Sequence, residues 1–153
     1  MITIKTPFGP FSMSGDGTSV TAAAFADTPQ PLLKGTPDGP VPQAAVDAAR
    51  AYFDGDLDAL DSVPVAWYGG TDYLQQCWKV LREVREPVTY TRLAELTGRP
   101  AAVRAAAQGC ARNQIGLFVP CHRVLRTDGA LGGFRWGLDV KRALLTHEAT
   151  HRP

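Results

Sequence analysis

One thiol and one imidazole stand side by side in Pro120-Cys121-His122-Arg123-Val124, and their setting makes them candidates for chemistry. Uncharged, mostly apolar residues run from Ile115 to Val119 before them, and the turn-rich segment Thr127-Asp128-Gly129-Ala130-Leu131-Gly132-Gly133 follows. A junction between buried chain and loop is where reactive cysteines are displayed. A cysteine attacks as its thiolate, and an imidazole steadied by an acid is one means of generating that anion. Neighbouring side chains of extended backbone point to opposite faces, so a proton relay from Cys121 to His122 through a water is expected rather than direct contact. The acid for the imidazole's other nitrogen is Glu148. It lies four residues past Leu144 and three past Leu145, extends their apolar stripe, and is expected to be covered and therefore partnered.

The elements around these groups follow from caps and periodicity. Thr71 reads as an N-cap with Asp72 in the first turn of a helix carrying Leu74, Cys77, Trp78, Leu81 and Val84 on one stripe. Cys77 belongs to that stripe and is expected to be core. Thr89 caps a short helix, Tyr90 to Thr97, with Leu93 and Leu96 pointing inward; Gly98-Arg99-Pro100 turns the chain, and Ala101 to Ala111 restarts as an alanine-rich helix. Two short helices across a Gly-containing turn predict a helix-turn-helix. The second is almost bare of side chains apart from Val103, Arg104 and Gln108, so it can approach a surface closely. Against duplex DNA, small residues suit the narrow minor groove, and Arg104 could fill the gap left by a base flipped out for reaction. A last helix is expected from about Leu138 to His147, with Asp139 in its first turn.

Upstream, Ile2, Ile4 and Phe8 before Gly9-Pro10, and the loose alternation from Phe11 to Phe25 around Gly15-Asp16-Gly17, predict short strands. Pro29, Pro31, Pro37, Pro40 and Pro42 with Gly35 and Gly39 predict a loop, and Val46, Ala49 and Phe53 predict a helix from about Pro42 to Gly55. The expected class is α/β (α+β): a small N-terminal α/β domain, residues 1–66, then a mostly helical domain, residues 67–153. No apolar run approaches the roughly 18 residues that span a bilayer, which points away from a membrane and to the cytoplasm. Three cysteines, an odd number, fit free thiols in a reducing compartment. The net charge of +1 conceals a division. Residues 1–70 hold three bases against eight aspartates, and residues 71–153 hold thirteen Lys and Arg against seven acids, so the basic half suits a polyanion.

Tyr90-x-x-Leu93-Ala94, Gly98-x-Pro100, Arg104-Ala105, Asn113, Pro120 to Val124, Gly129, Gly137-Leu138 and Lys141-x-x-Leu144-Leu145-x-x-Glu148 together resemble the O6-alkylguanine-DNA alkyltransferase family. Thr6 to Pro10 and Ala51 to Gly55 resemble its N-terminal domain. The resemblance implies direct, single-turnover repair of double-stranded DNA: the flipped guanine gives its O6-alkyl group to a cysteine and is restored. Carried over, Cys121 is the acceptor, His122 the water-mediated base, Glu148 its orienting acid, Asn113 the organiser of the active-site turn, and Tyr90 the donor to the departing purine. Arg104 is the finger. Thr89, Ala101, Ala102, Ala105, Gln108, Arg112 and Arg123 are expected with Tyr90 at the DNA, and Val124, Gly132, Arg135 and Trp136 at the base pocket. A monomer without cofactor is implied.

Three departures bear on this. Gln114 stands where the family usually has Pro, which predicts a looser turn, and the chain between Val84 and Tyr90 is about two residues shorter. Arg135-Trp136 replaces small residues, so Trp136 is expected to narrow the pocket and favour methyl over benzyl adducts. Some members bind zinc through N-terminal Cys and His; residues 1–76 contain neither, so no metal is expected. The alternatives are a lesion-binding sensor resembling alkyltransferase-like proteins, and a cysteine hydrolase.

Overall fold

The computed structural model describes residues 1–27 and 33–152; Pro29 and Pro31 of the expected loop lie outside them. Three antiparallel strands, β1 (Ile2–Thr6), β2 (Gly9–Gly15) and β3 (Val20–Ala24), form a meander in sequence order. The other edge of β3 is covered by segments from far along the chain. Ala66 N donates to Val20 O, Ala23 N to Gln114 O at 2.9 Å, and Gly116 N to Ala23 O at 2.8 Å. The sheet is therefore tied to the segment that leads to Cys121.

Helix α1 (Gln43–Phe53) follows, entered through Pro42, whose fixed φ suits a helix start. Helix α2 (Asp72–Leu81) starts at Thr71, whose hydroxyl accepts from Leu74 N, and α3 (Tyr90–Leu96) starts at Thr89, whose hydroxyl accepts from Arg92 N. Gly98, at φ +84°, makes the turn that follows. Helix α4 (Val103–Ala111) begins two residues later than expected, because the turn after Pro100 runs through Ala102 and offers no side-chain cap. Leu93 is buried, but Leu96 is 40% exposed, since the chain leaves the helix at Thr97. Helix α5 (Leu138–His151) runs a turn beyond the expected His147, and nothing before Arg152 breaks it. Between these, β4 (Val88–Thr89) pairs in parallel with β5 (Val124–Leu125).

One hydrophobic cluster joins the two ends of the chain. Phe11 of β2 lies 6.4 Å from Phe53 of α1 and 6.2 Å from Phe118 of the segment before Cys121. Arg82, at the end of α2, donates to the carbonyls of Val63 (2.7 Å) and Phe118 (2.8 Å), which ties the same two regions by hydrogen bonds. The elements are thus a mixture of helices and a small sheet, the α/β class expected. Among the described residues no helix is long and apolar enough to cross a membrane.

Candidate active site

The segment that carries Cys121 is set by one amide. Asn113, fully buried past the end of α4, accepts from Ile115 N (3.0 Å) and donates to Val119 O (2.9 Å) and to Cys121 Sγ (3.2 Å). It closes a loop tight enough that Leu117 adopts φ +70°, a left-handed conformation costly for a side chain with a Cβ. Gln114, expected to loosen this turn, is held by its side chain, which accepts from Leu33 N and donates to the Thr36 hydroxyl, both at 3.0 Å.

Cys121 opens a short 3-10 turn, Cys121–Arg123, and is 4% exposed. Its thiol lines a cleft of about 400 Å³ with Tyr90, Gln108, Cys110, Phe134 and Arg135. Burial pushes the thiol above its ordinary value; the Asn113 hydrogen bond and the Lys141 charge oppose this without overcoming it. At neutral pH the group is a thiol, and a base is needed to make it a nucleophile.

The 3-10 turn resolves the geometry of the neighbouring imidazole. His122, fully buried, is directed away to Glu148 of α5, with Nε2 to Oε2 at 2.5 Å. The same carboxylate accepts from Tyr52 Oη (2.6 Å), Arg123 Nε (2.8 Å) and Arg152 (3.4 Å). Burial acts to raise the Glu148 carboxyl, but His122 and then Arg123 overcome it and hold it well below the usual carboxylate range. Burial lowers His122 from its ordinary 6.5 despite the adjacent Glu148, so the ring is neutral and Arg123 is the permanent positive partner. Nε2 carries its proton toward an ionised carboxylate, which leaves the Nδ1 lone pair, without a partner among the described residues, as the basic atom.

Tyr90 lines both the thiol cleft and a second cleft of about 760 Å³ formed with Arg104, Ala107, Arg126 and Asp128. Burial, then the thiols of Cys110 and Cys121, push its phenol up to about 12, so it is a proton donor at neutral pH. Arg104 is exposed beside it on α4. Gln108 is exposed on the same helix, as are Ala101 before it and Arg112 just after it; Ala102 and Ala105 are partly so, and Thr89 caps α3. Gly132, at φ +71°, packs beside Tyr90.

Three expectations are corrected. Arg123 is 6% exposed, bonded to Glu148 and to Val84 O, so it serves the buried carboxylate and is not presented to DNA. Trp136 does not line the thiol cleft. Its ring lies over Gly116, 6.5 Å from Phe25 and 5.2 Å from Phe134, while Phe134 and Arg135 reach the cleft. Val124 is likewise fully buried, and its carbonyl accepts from Lys141 Nζ (2.7 Å). Lys141, whose sequence position carried no role, also bonds Leu131 O and Gly133 O, fixing the loop beside the cleft. Tyr52 is the other residue missed; it falls in the Ala51 to Gly55 stretch that resembles the family's N-terminal domain, but no role came with that resemblance.

A family model described as 6-O-methylguanine DNA methyltransferase, DNA binding domain, matches residues 72–150. The methylated-DNA--protein-cysteine methyltransferase of Mycobacterium tuberculosis is 37% identical over 155 residues, covering 99% of this chain and 93% of that protein. The bifunctional transcriptional activator/DNA repair enzyme Ada of Escherichia coli is 49% identical over 82 residues, 52% of this chain, which thus spans only 23% of that relative. A crystal structure of the Mycobacterium tuberculosis OGT in complex with DNA is similar at a TM-score of 0.82, with 35% identity, 99% of this chain and 93% of that chain covered. With a matched domain that contains the thiol, the imidazole and the acid, and a relative similar over nearly its whole length, this chain belongs to the 6-O-methylguanine DNA methyltransferase family.

Proposed function

We propose that this protein repairs O6-alkylguanine in double-stranded DNA by one irreversible transfer of the alkyl group to Cys121. The observation that carries the reading is a buried thiol lining a cleft, hydrogen-bonded by Asn113, next in sequence to an imidazole whose Nε2 faces an ionised Glu148. The residues of α3, α4 and the turn between them form a helix-turn-helix that enters the minor groove, and Arg104 occupies the space of the flipped guanine. His122 Nδ1 takes the thiol proton through a water. The thiolate attacks the alkyl carbon, the C–O6 bond breaks, and the electron pair leaves on guanine, which regains a proton from Tyr90. S-alkylcysteine remains, so each molecule acts once. Residues 67–153 carry this chemistry, residues 1–66 support it, and the protein works as a cytoplasmic monomer.

The test is mass. Incubation with an oligonucleotide containing O6-methylguanine is expected to add one methyl to the peptide containing Cys121. Cys121→Ser is expected to abolish the gain while retaining DNA binding in a gel-shift assay, since phosphate and groove contacts lie elsewhere. Tight retention of the lesion by the wild type without any mass gain would instead establish a sensor.

A further inference from the structure

Tyr52 bonds the His122–Glu148 pair, yet the chemistry above gives it no part. It belongs to α1, 96 residues from Glu148, and both are fully buried. A tyrosine needed only for packing could be a phenylalanine, yet this hydroxyl ends on a carboxylate oxygen that is already in use. Oε2 receives Tyr52 Oη at 2.6 Å and His122 Nε2 at 2.5 Å, whereas Oε1 receives the arginines.

We propose that Tyr52 is a positioning residue for alkyl transfer: its donation to Glu148 Oε2 fixes that carboxylate toward His122 and limits how strongly the oxygen holds an imidazolium. This role rests on the alkyl-transfer reading above. Two donors share one oxygen, so charge drawn toward the phenol is withheld from the imidazole. The other charged or titratable groups facing the pair are Arg123 and Arg152 on Oε1, Lys141 acting on His122, and His147, whose Nε2 bonds Tyr52 O (2.8 Å) and whose ring lies 5.1 Å from that of Tyr52. Burial and the Glu148 charge hold the phenol far above its ordinary value, so it donates throughout the working range. The N-terminal helix thereby contributes to the proton relay as well as to the core.

Tyr52→Phe keeps the ring and removes only the donor. Two measurements are made on the full chain: the pH dependence of single-turnover methyl transfer from an O6-methylguanine oligonucleotide, and the pH at which the His122 ring gains its proton, by nitrogen-15 NMR without DNA. Without the phenol, Glu148 stabilises the imidazolium more, so His122 binds its proton more readily and less of the basic form remains below the midpoint. Both midpoints are expected to rise by about half a pH unit, a roughly threefold loss of rate on the acid side and none on the plateau. A rate loss equal at every pH, or a ring titration unmoved or shifted downward, would overturn the proposal. If the wild type itself transfers no methyl, the repair reading fails, and the ring titration still decides the placement of Tyr52.

Discussion

Asn113 spends a single side chain on three buried partners, Ile115 N, Val119 O and Cys121 Sγ. Asn113→Ala leaves two backbone groups and the thiol without them, and an unpaired buried polar group costs about 1–3 kcal/mol. Destabilisation of about 3 kcal/mol in urea unfolding is expected, together with a large loss of methyl transfer; stability within 1 kcal/mol of wild type would contradict the role given to this amide. Cys121, His122 and Glu148 were legible because each carries local information, a motif, a neighbouring apolar run or a helical stripe, whereas Asn113 was legible only through the family resemblance. Tyr52 was not, since a tyrosine on an apolar stripe reads as core and its partner lies on another element. Arg123 was misread because charge alone does not tell which side of a 3-10 turn faces inward, and a basic half of the chain suggested phosphate. Trp136 was placed at the rim by register, whereas the ring is drawn to the space left open over Gly116.

At the scale of elements, the bareness of α4 has two causes, one outward and one inward. Inward, Ala106, Gly109 and Cys110 are buried, and α4 approaches α2 so closely that Trp78 Nε1 donates to Gly109 O at 2.8 Å. A Cβ at Gly109 would stand 2.6 Å from Cys77 Sγ and 3.2 Å from Cys77 Cβ. Gly109→Ala gains about 1 kcal/mol of helix propensity but forces overpacking worth about 1–3 kcal/mol. A net loss of about 1 kcal/mol is expected, a fall of roughly 2–4 °C in melting temperature; a rise would mean that the helices can part at no cost. Cap residues made the starts of α2 and α3 easy to read, because a threonine hydroxyl meets a free N–H at a fixed offset, whereas Val84, read on the α2 stripe, lies past the helix end at Leu81. The start of α4 has no such marker, and the end of α5 has no breaker, so both were displaced. β1, β2 and β3 were recognisable from turns and alternation, but β4 and β5 were not, and the pairing of β3 with residues 114–116 depends on tertiary contact that no local pattern encodes.

For the molecule as a whole, the buried ionisable groups set a window of stability. The His122 and Glu148 values are depressed in the fold, so the stability they contribute is present above their ordinary values, 6.5 and 4.5, and is lost as pH falls below them. Burial raises the thiols of Cys77, Cys110 and Cys121, so their contribution is present below the ordinary 9.0 and is lost as pH rises past it. The melting temperature is therefore expected to peak between about pH 7 and 8.5 and to fall on both sides, the acid fall beginning near the ordinary histidine value; a plateau extending down to pH 5 would contradict the burial of His122. The backbone bonds from Ala23 to Gln114 and Gly116 act over a different dimension, time. A ribosome releases β3 well before the residues that cover the second half of its edge. Until the last third of the chain has emerged, that edge displays unpaired N–H and C=O groups, and a neighbouring nascent copy can meet them first.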